Sequence, residues 1–364
     1  MLGFGERAPS FSAAALSGNP RYGFDSAAGR PIILLFLGSG RWAPGAEALQ
    51  LLQRHNQIFD DDRASFFGVT IDPTDADEGR IAQRIPGIRW FLDYDGEVST
   101  LYDAAGGGEQ GAKQYRPFWL LLDTNLRLVS SAPLQEGGRI FADLLALIGM
   151  QPESTHAPVL AVPRVLEPAL CRRLIELYEQ NGGGESGFMR QQEGRTVGMV
   201  DHSFKRRSDY TIEDEQLCAA IRERLKLRLL PEVERAFQFR ATRIERWIVA
   251  CYDAANQGFF RPHRDNTTSG TAHRNFACTI NLNAEEFEGG ELRFPEYGPR
   301  SYRASTGGAV VFSCSLLHEA MPVTRGKRYA FLPFFYDERG AEIRARNAAT
   351  IVDVGQEAPA AAAG

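Results

Sequence analysis

Apolar positions along this chain fall into two regimes. Over the first 150 residues short unbroken apolar runs alternate with amphipathic stretches, the pattern of a layered α/β structure in which helices cover buried strands. Pro31-Ile-Ile-Leu-Leu-Phe-Leu37 is apolar throughout and stops at Gly38-Ser-Gly40, which predicts a central strand. Residues 43–57 predict a helix, Ala64 to Ile71 a second strand and 76–85 another helix. Phe118 to Asp123 predicts a third strand, Asp123-Thr-Asn-Leu126 a turn into Leu128-Val129, and 138–149 a closing helix.

From Val159 onward helices come first. Pro168 suits a first helical turn, Leu170, Leu174, Ile175 and Tyr178 recur at helical spacing, and Gly182-Gly-Gly184 ends the run. A second helix is expected after Thr211-Ile-Glu-Asp214, read as a capping box, and runs toward Phe237 with a bend at Pro231. Strands then follow at Ile244 to Tyr252, Phe276 to Leu282, Glu291 to Phe294, Gly308 to Ser313 and Tyr329 to Phe335. Helices followed by many short strands predict a two-sheet jelly roll with helices on one face.

A length of 364 residues fits two domains, expected at 1–150 and 159–340. Residues 151–158 lose periodicity and read as a linker, with His156 a solvated loop residue. Residues 341–364 read as a tail whose Gly355 to Gly364 is low in complexity and expected to be disordered. The net charge of −5 offers no general attraction to phosphate backbones, so no nucleic-acid partner is expected and Lys205-Arg206-Arg207 reads as a solvated surface cluster. No apolar stretch reaches the roughly 18 residues of a membrane span, and the first residues lack the basic and apolar regions of an export signal. Cys171, Cys218, Cys251, Cys278 and Cys314 are odd in number and show no C-x-x-C spacing, which fits reduced thiols in the cytoplasm.

The element order of the first 150 residues, with Gly5-Glu-Arg-Ala-Pro-Ser-Phe11 at its start and Tyr115-Arg-Pro-Phe-Trp-Leu120 before the third strand, resembles the peroxiredoxin branch of the thioredoxin fold. That resemblance implies a peroxidatic cysteine in the first turn of the helix after the central strand, where the helix dipole favours the thiolate. The matching segment, Gly40-Arg-Trp-Ala-Pro44-Gly-Ala-Glu47, has no cysteine, and Pro44 stands in its place. A redox-inactive module for docking, dimerisation or substrate presentation is the expectation. Pro117 matches the cis-proline position of such folds. Gly38, Gly40 and Gly45 fit neither phosphate-loop spacing, so a plain strand-to-helix turn is expected there.

His263-Arg264-Asp265 places an imidazole and a carboxylate two residues apart, on one face of an extended segment. His318 follows fifty-three residues later, directly after an apolar strand. Two histidines and one carboxylate form a facial triad that leaves metal positions open, which favours non-haem Fe(II) over a closed zinc site. Arg328, ten residues further, can grip the distal carboxylate of a 2-oxo diacid through paired charge-assisted hydrogen bonds, while Lys327 should face the other side.

Ala250-Cys-Tyr252, Phe260-Arg-Pro-His-Arg-Asp-Asn266, Cys278-Thr-Ile-Asn-Leu-Asn283, Phe287-Glu-Gly-Gly-Glu-Leu-Arg-Phe294 and His318-Glu-Ala-Met-Pro-Val-Thr-Arg-Gly-Lys-Arg328 together resemble the prolyl 4-hydroxylase-type dioxygenases, over residues 159–338. The resemblance implies that His263, Asp265 and His318 bind Fe(II), that Arg328 binds 2-oxoglutarate and that Tyr252 lines the co-substrate pocket. Asn281 departs from the pattern, standing where prolyl hydroxylases commonly have a tyrosine on the same carboxylate. The fold class expected is thus an α/β thioredoxin-like N-terminal domain plus an α+β double-stranded β-helix, or jelly roll.

The implied reaction consumes O2 and 2-oxoglutarate, releases succinate and CO2, and hydroxylates an unactivated C–H bond in a peptide or protein, prolyl residues included, or in a small molecule. Ascorbate is a candidate further cofactor and a homodimer a candidate assembly. Two rivals stand beside it: a scaffold protein with a silent oxygenase domain, and a thiol peroxidase, which the missing cysteine disfavours. His55, His202 and His273 read as core or surface residues, Asp253 as a turn residue, and Cys251 and Cys278 as small packed apolar groups. Arg207, Arg243 and Arg246 read as surface residues or as contacts for an anionic substrate.

Overall fold

A computed structural model describes residues 2–107, 113–150, 155–192 and 194–352. Residues 151–154 of the expected linker and 353–364 of the expected tail lie outside the described residues. Contacts group the chain into two compact units, Met1–Thr155 with Pro295–Pro299, and His156–Phe294 with Arg300–Gly364.

The first unit is built on a five-stranded sheet in the order Ile88–Leu92, Ser65–Thr70, Ile32–Gly38, Phe118–Leu122, Leu128–Pro133. The first three strands run parallel and the last two antiparallel. Alternate residues of the central strand serve opposite faces. Ile33, Leu35 and Leu37 pack with Ala48 and Leu52 of helix Ala43–His55 and with Ile140, Phe141 and Leu144 of helix Gly137–Gly149. Phe36 meets Tyr102 and Phe118 on the other face, where Phe11, Phe24, Phe67 and Phe91 also stack. Three parallel strands extended by two antiparallel ones, with helices laid on a face, form a thioredoxin-like α/β layer.

Three readings of this unit need correction. The helix expected at 76–85 is instead the short Pro73–Asp77, capped by Asp72, and Gly79 at φ 66° turns the chain away. Strand Ile88–Leu92 was hidden because Arg89 interrupts its apolar run; Arg89 is tolerated there through a two-pronged ion pair with Asp61 at 2.8 and 2.6 Å. The cis bond lies at Ile85-Pro86, not before Pro117.

The second unit is a double-stranded β-helix. Its larger sheet runs Val159–Val162, Ala309–Ser313, Phe276–Asn281, Lys327–Phe331, Ile248–Asp253, Ser208–Thr211, Gly184–Glu185. The smaller runs Lys205–Arg206, Phe259–His263, His318–Ala320, Leu292–Arg293, Ser301–Tyr302. Strand alternation divides the labour: Val249 and Cys251 pack outward with residues of helices Pro168–Asn181, Glu215–Arg228 and Leu230–Phe237, whereas Ala250 and Tyr252 meet Phe260 and Ala320 of the smaller sheet. Asp214 itself, not Thr211, caps Glu215–Arg228, accepting from the Gln216 and Leu217 amides; Thr211 ends a strand. The run expected at Ile244 to Tyr252 divides at Arg246, whose φ of 70° breaks the ladder. Pro333, which has no amide proton for a ladder, divides Lys327–Phe331 from Phe334–Tyr336.

The turn from strand Ile32–Gly38 into helix Ala43–His55 is locked by Asp75. Its fully buried carboxylate accepts from the Gly40 amide at 3.1 and 3.0 Å, from Thr70 Oγ1 at 2.7 Å and from Arg80 Nε at 2.7 Å. Asp75→Ala should therefore strand several buried donors and lower the unfolding free energy of this unit by about 3 kcal/mol. Urea titration followed by tryptophan fluorescence reads this, and an unchanged midpoint would refute the lock.

Candidate metal centre

Antiparallel pairing of Phe259–His263 with His318–Ala320 sets His263 opposite His318, with ring centroids 4.3 Å apart. Just past the first strand, the Asp265 amide donates to the Cys314 carbonyl at 2.9 Å. Its carboxylate oxygens lie 3.5 Å from His263 Nε2 and 3.3 Å from His318 Nε2. One donor atom from each residue falls within 4.8 Å of the others, close enough to share an ion.

Backbone carbonyls fix the imidazoles. His263 Nδ1 lies 2.7 Å from the Arg261 carbonyl and His318 Nδ1 3.0 Å from that of Leu316, which places the protons on Nδ1 and the Nε2 lone pairs toward Asp265. Phe260 stacks on His263 at 3.5 Å, and Phe312 packs on His318 at 4.5 Å. Burial, assisted by the neighbouring His318, pushes the His263 pKa down to about 4. Burial alone would raise Asp265, yet the two imidazoles, His318 foremost, hold it well below the carboxylate range. At neutral pH the cluster thus presents an uncharged His263 and an ionised carboxylate, a donor set suited to a divalent first-row metal. Burial holds the nearby Cys314 thiol protonated, and it takes no part in the cluster.

Arg328 sits against Tyr252, whose side chain packs with Phe260, the ring stacked on His263. It is 2% exposed, sits in register with Tyr252 on the adjacent strand, and its guanidinium lies 5.1 Å from the Tyr252 ring centroid. Arg328 Nε donates to Asn281 Oδ1 at 3.3 Å, while Asn281 Nδ2 donates to the Ala304 carbonyl at 2.8 Å. Asn281 is therefore turned onto Arg328 itself. Among the described residues Arg328 has no carboxylate ion-pair partner. Gly290, at φ 71°, lets the chain close here, because a Cβ would come 2.8 Å from Val323 and 3.1 Å from Arg328. Lys327 points outward to Glu179 at 3.2 Å.

The basic run is not a solvated cluster. Pairing with Phe259–His263 and Ile248–Asp253 turns Lys205 and Arg207 inward, and only Arg206 stays exposed. Lys205 Nζ donates to Ser186 Oγ at 2.7 Å and lies 4.8 Å from the Phe260 ring. Arg207 grips Asp209 through two bonds of 2.7 and 2.6 Å and donates to the Tyr252 hydroxyl at 3.3 Å. The signal available in sequence was Arg207-x-Asp209 on one strand face, opposite charges at β spacing. The remaining candidates lie outside the cluster: His55 stacks on Phe141, His202 pairs with Glu185, His273 bonds Glu245, Arg243 pairs with Glu338, and Asp253 accepts from the Ala255 amide. Cys251 and Cys278 are buried in strands.

Residues 247–336, which hold the triad and Arg328, match the profile of the 2OG-Fe(II) oxygenase superfamily. Within the second unit this segment is therefore similar to the 2OG-Fe(II) oxygenases, a family that implies Fe(II) and 2-oxoglutarate. Among individual relatives, a PKHD-type hydroxylase of Synechococcus sp. (strain JA-2-3B'a(2-13)) is 32% identical over 89 residues, 23% of this chain and 39% of its own length. A PKHD-type hydroxylase of Maricaulis maris (strain MCS10) is 28% identical over 151 residues, 40% of this chain and 65% of that protein. The chain thus spans about two fifths of the Synechococcus relative's length. A Trichoplax adhaerens prolyl hydroxylase, solved with a hypoxia inducible factor peptide, aligns over 58% of this chain and 94% of its own at 18% identity and a TM-score of 0.40. Peroxidoxin BcpB of Mycobacterium tuberculosis aligns over 40% of this chain and 99% of its own at 15% identity and a TM-score of 0.33. Among the described residues no helix is long and apolar enough to cross a membrane.

Burial opposes ionisation of Asp209, but Arg207 and then Arg246 hold its pKa at about 2. A carboxylate whose folded pKa is depressed stabilises the fold above its unfolded value near 4 and loses that contribution as pH falls toward 2. Asp209→Asn should cost about 3 kcal/mol at pH 7 and flatten the acid limb of the stability curve between pH 4 and 2. Denaturant midpoints across that range test both, and parallel curves for wild type and variant would refute the account.

Proposed function

We propose that this chain is an Fe(II)- and 2-oxoglutarate-dependent hydroxylase acting on a peptide or small-molecule C–H bond, prolyl residues included. The observation that carries the reading is the convergence of His263, Asp265 and His318, joined through Phe260 and Tyr252 to a buried arginine that has no carboxylate partner among the described residues. His263, Asp265 and His318 would hold the metal. Bound Fe(II) supplies the electron transfers by which O2 oxidises 2-oxoglutarate to succinate and CO2 and hydroxylates the substrate.

The protein's own contributions follow from the contacts above. Arg328 donates to the distal carboxylate of 2-oxoglutarate, a charge-assisted pairing strengthened by exclusion of water. Asn281 holds the Arg328 Nε, leaving the terminal nitrogens for the co-substrate. Tyr252 supports the guanidinium from one side, and Phe287, Val323, Ala250 and Ala320 form a dry wall. The Arg261 and Leu316 carbonyls fix each imidazole in the tautomer that ligates through Nε2. Ascorbate enters this reading as the reductant that keeps the metal ferrous. The thioredoxin-like unit, with Pro44 at the thiol position, serves as a redox-inactive module that docks or presents the substrate.

Anaerobic protein loaded with Fe(II) should develop a weak visible metal-to-ligand band on addition of 2-oxoglutarate. His263→Ala should abolish metal retention, and Arg328→Gln should weaken 2-oxoglutarate binding about a hundredfold, as expected for charge-assisted hydrogen bonds. Folded, iron-loaded wild type that shows no band would defeat the reading. Incubation with cell extract under 18O2 then identifies the molecule that gains the label.

A further inference from the structure

Charge between the two sheets is nearly, but not fully, compensated. Arg207 is matched by Asp209 through two short bonds, and Arg274 by Glu245, its NH2 lying 2.7 Å from Oε1 and its Nε 3.3 Å from Oε2. With a dication on the triad and the dianion of 2-oxoglutarate on Arg328, those additions cancel and Asp265 offsets the Arg328 charge. Lys205 and Arg246 are left over; Lys205 is 4% exposed and spends its donors on Ser186 Oγ and the Gly187 carbonyl, so Arg246 is the one within reach of a ligand. Its one ion-pair contact among the described residues is a 3.5 Å approach to Asp209 Oδ2, an oxygen already taken by Arg207 and Ser186.

The backbone shows that this placement is built. Arg246 stands between two strands at φ 70°, a left-handed conformation that a long side chain adopts at a cost. That twist lays its guanidinium over Phe334, 5.1 Å from the ring centroid, beside Arg274 at 4.1 Å on the same ring. A contact chain leads from it to the co-substrate cation: Asp209, then Arg207, then the Tyr252 hydroxyl, then Arg328 over the Tyr252 ring. Yet Arg246 keeps 26% of its side-chain surface accessible, so an incoming group can reach it.

We propose that Arg246 binds a carboxylate of the molecule to be hydroxylated, so that the substrate is an acid, either an acidic peptide or a free carboxylic acid. The inference rests on the oxygenase reading, and it deepens that reading by assigning the substrate's charge. Arg246 is a binding and specificity residue, distinct from Arg328, because an uncompensated, partly desolvated cation favours an anion and penalises its neutral isostere.

The test uses the full chain loaded with Zn(II), which cannot turn over, and saturated with 2-oxoglutarate. Two acid probes, N-acetylglutamic acid amide and the N-acetylated tetraglutamate amide, are titrated calorimetrically beside their glutamine counterparts. Wild type should bind at least one acid probe and neither glutamine form; tighter binding of the tetrapeptide marks a peptide substrate, and equal or tighter binding of the single residue a free acid. Arg246→Asn should weaken that binding at least tenfold, Arg246→Lys should retain most of it, and Arg243→Gln, on the surface beside Glu338, should leave it unchanged. Asn and Gly both accept the left-handed backbone, so Arg246→Gly carries the test should the Asn variant fail to fold. No acid binding by wild type, or equal binding by the Asn or Gly variant, overturns the inference. Failure of 2-oxoglutarate to bind metal-loaded wild type would instead defeat the oxygenase reading.

Discussion

The second unit depends on one strand register. Because Phe259–His263 and His318–Ala320 pair so that His263 faces His318, two imidazoles that are fifty-five residues apart in sequence meet edge to edge, with Asp265 between them. A shift of one residue would turn either ring to the opposite side of the sheet and leave the carboxylate buried beside a single imidazole. Register is protected on both sides of the pair. Phe260 and Ala320 point into the apolar space between the sheets, and each ring is tied by Nδ1 to the carbonyl two residues before it.

Charge burial is the second constraint, and it explains why polar residues that look misplaced in the sequence are indispensable. Arg328 in a nearly dry space would be costly were it not pre-set by Asn281 and cushioned by Tyr252. Asn281 departs from the tyrosine common in prolyl hydroxylases, yet its side chain accepts from Arg328 and donates to the Ala304 carbonyl, so both ends of its amide are used. The consequence is that Asn281 aims the Arg328 guanidinium.

The layered order of both units was legible because core strands such as Ile32–Gly38 and Ala309–Ser313 are apolar on consecutive positions, and helices Pro168–Asn181 and Gly137–Gly149 carry clear periodicity. The triad could be read because its residues are chemically rare and closely spaced in motif. Less legible were elements whose logic is tertiary. Ile88–Leu92 carries an arginine satisfied by Asp61, twenty-eight residues away, and the interior placement of Lys205 and Arg207 depends on pairing with strands far along the chain. A run of three basic residues has the same composition on a surface as in a strand; only the partner strands decide which members turn inward. Arg246 illustrates a further limit, since a positive φ at a non-glycine residue leaves no mark in the pattern of apolar positions.

The first unit makes its strand-to-helix turn without a thiol. Glycines at 38 and 40 form that turn, and Pro44 sits in the first turn of the helix that follows. A thiolate at such a turn draws stability from helix amides and nearby cations, and its absence would leave those donors in want of an anion. Asp75 supplies one from a different element: a fixed carboxylate that takes the Gly40 amide, Thr70 and Arg80 together. Such a carboxylate cannot be oxidised as a thiol can, so the turn is held by a permanent charge rather than a reactive one.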